Sequence, residues 1–166
     1  MVWVKICGVT GVEEARACVQ MGADAVGINF YERSPRYCDP EVARAIVAAV
    51  GGRAVTVGVF VDKSYEEIVA LRERVAFDLA QLHGSETPEL LKRLLPNAYK
   101  AIRVRGDFAS RQVEDYGGET ILLDAYVPGI AGGTGKTFDW AVAARVAESR
   151  RGPSVTVVSF SPAPIQ

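Results

Sequence analysis

The stretch Val2-Trp3-Val4-Lys5-Ile6-Cys7-Gly8-Val9-Thr10 has the pattern of a short strand, then a glycine at which the backbone turns, then the start of a helix. It places Cys7 at the carboxyl end of the strand. In α/β proteins built from repeated strand–helix units, catalytic groups collect at the carboxyl ends of the strands. Cys7 is therefore a candidate functional residue, although most free cysteines are small buried hydrophobic residues. The stretch alone leaves both interpretations open.

The same strand–helix unit recurs along the chain. Strands are predicted to start near residues 2, 25, 54, 78, 99, 120 and 155, and this recurrence of about 20 to 35 residues is typical of right-handed βα units. Gly22 and Gly51-Gly52 are predicted to end the first two helices. Two helices are predicted to start at capping boxes, Thr10 with Glu13 and Ser64 with Glu67. Two more are predicted to start with a proline in the first turn, at Asp39-Pro40-Glu41 and Thr87-Pro88-Glu89. Further helical patterns cover 108–116 and 139–150.

Alternating strands and helices predict a parallel sheet covered by helices. An open dinucleotide-binding sheet would be expected to carry a G-x-G-x-x-G turn after its first strand, and Cys7-Gly8-Val9-Thr10-Gly11 lacks that pattern. Polar residues at several strand ends favour a closed (β/α)8 TIM barrel instead; they are Cys7, His83, Arg103 and Asp124. The pattern holds about seven strands where a barrel needs eight, so we expect an incomplete TIM barrel whose last βα unit is missing.

The composition is that of an ordinary soluble globular protein. The 166 residues are 49% hydrophobic and 23% charged, with a net charge of −1, which argues against nucleic acid and membranes as partners. The sequence has no signal peptide pattern and no apolar run long enough to span a bilayer, so we expect a cytoplasmic protein. Cys7, Cys18 and Cys38 are odd in number and widely spaced, which favours reduced thiols. With His83 as the single histidine and no C-x-x-C pair, a zinc site is not expected.

Residues Gly132-Gly133-Thr134-Gly135-Lys136-Thr137 look like the phosphate loop of an NTPase. That signature requires a glycine where Ile130 stands, so it fails by one residue. We interpret the segment as a flexible glycine-rich lid beside the active face.

Seven motifs, in order from residue 2 to about residue 140, resemble phosphoribosylanthranilate isomerase, a tryptophan-pathway family of the ribulose-phosphate-binding barrel class. Each motif is weak alone, and the specificity comes from their occurring in register. The motifs are Val4-Lys5-Ile6-Cys7-Gly8, Gly22-Ala23-Asp24-Ala25-Val26-Gly27, Ser34-Pro35-Arg36-Tyr37, Val57-Gly58-Val59-Phe60, Gln81-Leu82-His83-Gly84, Leu122-Leu123-Asp124, and Gly132-Gly133-Thr134-Gly135-Lys136-Thr137-Phe138-Asp139-Trp140.

The resemblance implies an Amadori rearrangement of N-(5-phosphoribosyl)anthranilate, a phosphorylated aminoaldose, to 1-(2-carboxyphenylamino)-1-deoxyribulose 5-phosphate, with no cofactor. An acid must protonate the furanose ring oxygen, and a base must remove the proton from C2. At the positions that match the family's base and acid stand Cys7 and Asp124. Both residues end strands, the first and the sixth, so in a barrel both face the same opening.

Each of these two groups needs a suitable environment. An ordinary thiol is only a few per cent ionised at about pH 7, so Cys7 needs a nearby positive charge. Lys5 is a candidate because it lies two residues earlier on the same strand face, although a structurally paired lysine is an equal alternative. Asp124 must hold its proton to act as an acid, and the apolar run Ile121-Leu122-Leu123 predicts the burial that favours this.

Arg36 matches a family position that contacts the anthranilate carboxylate, a planar partner that suits a guanidinium group. A surface ion pair involving neighbours such as Glu32 or Asp39 is the alternative. We interpret His83 of the Q-L-H-G motif as a pocket-lining or structural residue, and Gly8 completes the predicted substrate-binding set. Four aromatic residues are predicted to be core rather than ligand-stacking residues: Trp3, Phe30, Phe60 and Trp140.

The sequence departs from the family pattern at its end. Barrels of this class bind phosphate on the loops after strands seven and eight, and residues 157–166 contain no glycine. We expect residues 1–160 to form one incomplete barrel domain, residues 161–166 to form an irregular tail, and turnover to be impaired. Open edges on the first and seventh strands would be available for association, so we expect a monomer or a homodimer.

Two other functions stay open at this point. A histidine-pathway Amadori isomerase would be expected to pair two aspartates, and Cys7 argues against it. A non-enzymatic chain, stable only as an oligomer or with a complementary fragment, is supported by the absence of an eighth strand pattern.

Overall fold

Strands and helices alternate along the chain, as predicted. The structure, a computed structural model, describes residues 3–104, 111–116, 120–125, 141, 144, 146 and 148. The strands are β1 (Lys5–Cys7), β2 (Ala25–Asn29), β3 (Val55–Phe60), β4 (Leu79–Leu82), β5 (Ala98–Val104) and β6 (Ile121–Ala125). The helices are α1 (Val12–Gln20), α2 (Pro40–Val50), α3 (Tyr65–Val75), α4 (Pro88–Leu94) and α5 (Arg111–Glu114).

The six described strands form one parallel sheet whose spatial order follows the sequence, β1-β2-β3-β4-β5-β6. A doubly wound sheet reverses its strand order at a switch point, whereas a barrel adds each strand to the same edge. The sheet is curved, since Lys5 on β1 contacts Gln81 on β4 and His83 contacts Asp124 on β6. The predicted α/β architecture is therefore confirmed, and the described strands form an arc of a TIM barrel.

The sheet buries side chains on both faces, as a barrel strand between an interior and a helical layer must. The interior cluster consists of Ala25, Val57, Tyr99, Ala101 and Leu122, with Trp3 packed against it. On the helical side, the rings of Phe30 and Phe60 stack with centroids 5.3 Å apart, and Phe77 packs against both. The prediction that Phe30 and Phe60 are core residues is confirmed, since they are 2% and 0% exposed.

Three predicted helix starts are confirmed in atomic detail. At α4, the Thr87 side chain accepts a hydrogen bond from the backbone N–H of Leu90, and Pro88 is the first helical residue. The side chain of Asp39 accepts a hydrogen bond from the backbone N–H of Glu41, Pro40 is the first residue of α2, and Gly51 ends it in the left-handed conformation at φ +58°. Ser64 and Glu67 form the predicted capping box at α3.

The predicted capping box of Thr10 and Glu13 is wrong. Glu14, rather than Glu13, accepts hydrogen bonds from both the backbone N–H and the hydroxyl of Thr10. The N-cap of α1 is Gly11, whose lack of a side chain leaves no cap hydrogen bond, and the helix begins at Val12. Thr10 therefore bonds a carboxylate of the first turn instead of capping the helix.

Several predictions lie wholly or partly outside the described residues: the strand over 155–160, the glycine-rich segment 132–137, Trp140, the domain limit at 160 and the tail. They remain predictions, as does impaired turnover. Four residues of the predicted last helix, Ala141, Ala144, Val146 and Glu148, have helical backbone. Within the described part of the chain, no helix is long and apolar enough to cross a membrane.

Candidate active site

Lys5 and Cys7 lie on the inward face of β1. Their partners in the parallel pairing, Ala25 and Gly27, lie on the same face of β2. Cys7 pairs with Gly27, and a Cβ at Gly27 would lie 2.7 Å from the Cys7 Sγ atom. The absence of a side chain at Gly27 therefore makes the space that the half-buried thiol occupies.

Lys5 is fully buried at 0% exposure, and its ammonium lies between two inward-facing side chains. Its Nζ atom donates hydrogen bonds to Cys7 Sγ at 3.7 Å and to Gln81 Oε1. Burial alone would lower the pKa of Lys5, but the charge of a Cys7 thiolate, followed by Tyr99, raises that pKa above its ordinary value. A buried ammonium is costly unless it is paired and hydrogen-bonded. The positive charge that the sequence suggested for Cys7 is therefore present beside the sulfur.

The other two cysteines differ from Cys7 in environment. Cys18 and Cys38 are both free thiols within the hydrophobic core. Burial raises the pKa of Cys18, and burial together with the nearby Asp39 raises the pKa of Cys38 to about 11. Both are thus neutral thiols at ordinary pH, with the packing role that most free cysteines have.

Gln81 and Tyr99 complete the surroundings of Lys5. Gln81 is 1% exposed, and its Oε1 atom also accepts a hydrogen bond from the Tyr99 hydroxyl at 2.8 Å. Burial raises the pKa of Tyr99, so the hydroxyl stays protonated and available as a donor. One amide oxygen therefore accepts from two buried donors.

The amide nitrogen of the same Gln81 links Lys5 to the far side of the interior. Gln81 Nε2 lies 2.7 Å from His83 Nδ1, and His83 Nε2 lies 3.0 Å from Asp124 Oδ2. The His83 and Asp124 side chains are 8% and 15% exposed, so Asp124 is largely but not completely removed from solvent. A continuous set of contacts thus joins Cys7 to Asp124.

The backbone that carries His83 is anchored by a buried ion pair. Lys100 Nζ lies 2.9 Å from Glu86 Oε2 and also donates to the carbonyl of Gly84 at 2.8 Å, while Glu86 accepts from the Gly84 N–H. Arg103 Nη2 donates to the His83 carbonyl at 2.9 Å, and among the described residues its buried Nε has no hydrogen-bond partner. These contacts fix the exit of β4, and with it the imidazole.

Arg36 lies against the exit of β1. Gly8 adopts φ +83°, and a Cβ there would lie 2.6 Å from Arg36 Cδ, so both its backbone and its surroundings require glycine. Arg36 Nη1 is 3.5 Å from the Gly8 carbonyl oxygen. Of the neighbours that suggested a surface ion pair, Glu32 lies 3.5 Å from Lys63, and Asp39 caps α2.

The arrangement suits acid–base chemistry. It sets a sulfur beside a buried ammonium at β1 and a mostly buried carboxyl group bonded to an imidazole at β6. A sulfur and a carboxyl group at the same side of the sheet can supply the base and the acid of a proton transfer. Within the described ranges, no group of three His, Cys, Asp or Glu side chains could hold a metal ion.

Comparison with known proteins decides the family. The sequence pattern of N-(5'-phosphoribosyl)anthranilate (PRA) isomerase matches residues 4–157, which is most of the chain. The chain belongs to the PRA isomerase family. The resemblance seen in the seven motifs is thereby confirmed.

Individual PRA isomerases agree along most of their length. The chain is 46% identical over 140 residues to N-(5'-phosphoribosyl)anthranilate isomerase of Pseudomonas putida, covering 83% of this chain and 68% of the relative. It is 44% identical over 163 residues to that of Rubrobacter xylanophilus, covering 96% and 77%. The crystal structure of phosphoribosyl anthranilate isomerase from Thermotoga maritima superposes with a TM-score of 0.81 at 36% identity, covering 96% of this chain and 78% of that one.

The structure brings all six predicted site residues of this PRA isomerase family member to the carboxyl ends of the strands or the interior just below. Cys7, Lys5 and Gly8 lie on or just after β1, His83 and Asp124 are in contact, and Arg36 packs on Gly8. Their roles in binding and catalysis remain proposals.

Sequence reasoning missed Gln81 and Tyr99 as parts of the site and assigned no role to Arg103. A signal for Gln81 was present, because Gln81 and His83 are two residues apart on one strand, as Lys5 and Cys7 are. For Tyr99 there was no such signal, since its partner Gln81 lies on another strand.

Proposed function

We propose that the chain catalyses the Amadori rearrangement of N-(5'-phosphoribosyl)anthranilate to 1-(2-carboxyphenylamino)-1-deoxyribulose 5-phosphate in tryptophan biosynthesis. Membership of the PRA isomerase family supports this reaction. Another member of the family has been crystallised in complex with reduced 1-(o-carboxyphenylamino)-1-deoxyribulose 5-phosphate. The observation that carries the proposal is a pair of contacts: a thiol 3.7 Å from a buried ammonium, and a carboxyl group 3.0 Å from a buried imidazole.

Asp124 is the general acid of this proposal. It donates a proton to the furanose ring oxygen, and the ring C1–O bond breaks to give an open-chain Schiff base. Its side chain is 15% exposed, and His83 Nε2, 3.0 Å from Oδ2, can donate a hydrogen bond to the carboxylate that remains after transfer.

Cys7 is the general base. As a thiolate it removes the C2 proton of the Schiff base, and the electron pair of that C–H bond forms the enolamine, which tautomerises to the aminoketose. Substrate and product are isomers, so no cofactor is consumed. Asp124 ends as the carboxylate and Cys7 as the thiol, and the loss of one proton from Cys7 to solvent and the gain of one by Asp124 from solvent restore both groups. The Lys5 ammonium lies 3.7 Å from the sulfur that removes this proton.

Arg36 and Gly8 form the proposed binding side of the site. Arg36 reaches the opening over the turn at Gly8, where a guanidinium group can bind the anthranilate carboxylate through two hydrogen bonds. We also propose a cytoplasmic location, which the free state of Cys7, Cys18 and Cys38 supports. The substrate is a small molecule, and the chain acts as a monomer or a homodimer; a Thermotoga maritima relative is described as dimeric.

The test is the fluorescence decay of freshly generated phosphoribosylanthranilate with the purified chain. Cys7→Ser and Asp124→Asn should each lower kcat by at least about a hundredfold, the usual contribution of general acid or base catalysis. Cys18→Ala, which removes a core thiol remote from the site, is the matched control and should keep kcat near the native value. Native turnover that persists in both site variants would refute the assignment.

A further inference from the structure

A row of four buried or mostly buried polar side chains crosses the barrel interior from β1 to β6. Its members in spatial order are Lys5, Gln81, His83 and Asp124, and each contacts the next. The catalytic proposal uses the two ends of this row. The two residues in the middle of the row, Gln81 and His83, determine which ring nitrogen of His83 carries the proton.

The orientation of the Gln81 amide is fixed by its neighbours. Lys5 has only donors on its ammonium, so the atom of Gln81 that faces it must be the oxygen. The Tyr99 hydroxyl bonds the same oxygen at 2.8 Å. The Gln81 NH₂ group therefore faces His83, and reversing the amide would set it against the ammonium.

This orientation determines the tautomer of His83. The Gln81 Nε2 atom, 2.7 Å from His83 Nδ1, can only donate, so Nδ1 must accept through its lone pair. The ring proton of a neutral imidazole then lies on Nε2, which donates to Asp124 Oδ2 at 3.0 Å. A doubly protonated ring would point an N–H at the amide N–H of Gln81.

We propose that Gln81 is a positioning residue of the isomerase: it holds His83 as the neutral tautomer protonated at Nε2, which places the acidic proton of Asp124 on Oδ1. This rests on the proposed function for the role of Asp124 alone; the tautomer follows from the contacts. Since Oδ2 accepts from His83 before and after transfer, the proton leaves from Oδ1, the oxygen that His83 does not bind. His83 keeps its own proton throughout.

The tautomer can be measured without any enzymatic assay, because His83 is the single histidine of the chain. The native chain is labelled with ¹⁵N-histidine and kept at about pH 8, above the ordinary titration range of imidazole. Its two-bond ¹H–¹⁵N NMR spectrum then contains the signals of a single imidazole ring. We expect the nitrogen shift of an unprotonated Nδ1 and a protonated Nε2. A protonated Nδ1 in the native chain would overturn the proposal, and no variant needs to fold for this result.

Gln81→Glu tests the cause. A carboxylate still accepts from Lys5 and Tyr99 but offers His83 an acceptor instead of a donor, so the ring should become protonated at Nδ1. An unchanged His83 spectrum in a folded Gln81→Glu chain would refute the role of Gln81.

Kinetics separate this proposal from that of the isomerase itself. Gln81→Glu should lower kcat about ten- to a hundredfold, because it removes part of the rate gained from general acid catalysis. KM should stay within about threefold of the native value. His83→Gln, whose amide can still donate to Asp124, should keep more activity than His83→Leu. An inactive native chain with the expected tautomer would refute the isomerase only, and an active chain with the other tautomer would refute only the role of Gln81.

Discussion

Replacing Cys7 by alanine should expose how strongly the interior depends on an ion pair. In the native chain the pKa of Lys5 stays above its ordinary value because Cys7 and Tyr99 outweigh the effect of burial. Alanine leaves the ammonium buried at 0% exposure with only neutral partners, Gln81 and, through it, Tyr99. Burial then dominates, and the pKa of Lys5 should fall below the value that it has in the unfolded chain.

The magnitude follows from the distance between the two charges. Unit charges 3.7 Å apart attract by about 4 kcal/mol at an effective dielectric constant of about 20. Removing one partner of a buried ion pair ordinarily costs about 3–5 kcal/mol, which is a large part of the stability of a single domain.

The sign of the pH dependence distinguishes the two chains. With a raised pKa, Lys5 stabilises the native fold at every pH below its ordinary titration and loses this contribution only as the pH rises through the raised value. With a lowered pKa, the unfolded Cys7→Ala chain binds the extra proton. Its stability should therefore fall as the pH is lowered from about 10.5 through the new pKa of Lys5.

Urea unfolding of both chains between about pH 7 and pH 10.5, the ordinary value for lysine, measures this difference. At the lower pH we expect Cys7→Ala to lose about 3–4 kcal/mol, and the double variant Lys5→Met with Cys7→Ala to recover most of it. Cys18→Ala, another buried cysteine, controls for the loss of a thiol. If Cys7→Ala matched the native chain at every pH, Lys5 and Cys7 would not be an ion pair.

Three further substitutions test neighbouring parts of the site. Gly27→Ala brings a methyl group to 2.7 Å from the Cys7 sulfur, so kcat should fall at least about tenfold. The free energy of unfolding should fall by only about 1–3 kcal/mol. An unchanged kcat would contradict the tight fit of the sulfur against Gly27. Lys100→Met leaves Glu86 without its ion-pair partner, buried at 1% side-chain exposure. Urea unfolding should therefore show that the free energy of unfolding falls by about 3–5 kcal/mol. A fall below about 1 kcal/mol would show that the fold does not depend on this ion pair. Arg36→Lys keeps the charge but loses the two-pronged contact, so steady-state kinetics should show KM raised about tenfold with kcat little changed; a native KM would remove Arg36 from carboxylate binding.

Most of the fold could be predicted because its signals are local. The bounds of α2 follow from Asp39, Pro40 and Gly51, each of which acts on the backbone beside it. The start of α1 could not be predicted equally well, because Thr10 had two acidic residues within reach and the sequence does not say which one it bonds. The choice depends on the direction in which the chain leaves β1.

Local sequence signals predict some residues of the candidate site, and the roles of the others depend on contacts between distant strands. Cys7 and Asp124 could be found because parallel strands bring their carboxyl ends to one side. The roles of Gln81 and Tyr99 depend on contacts between different strands across the curved interior, such as the one between Lys5 and Gln81, for which 76 residues of sequence separation leave no local signal. Alternation along β4 would have placed Gln81 inside the barrel, but not against an ammonium.

The polar row explains why the interior is not uniformly apolar. Barrel interiors are ordinarily filled by branched apolar side chains, and here Ala25, Val57 and Leu122 follow that rule. Buried charged pairs are seldom better for stability than apolar residues of similar volume. Stability alone therefore gives no reason for Lys5 and Gln81 to be buried at 0% and 1% exposure. The proposed role of Gln81 supplies a reason: the Lys5 ammonium orients the amide, the amide selects the imidazole tautomer, and that tautomer binds only one oxygen of the Asp124 carboxyl group.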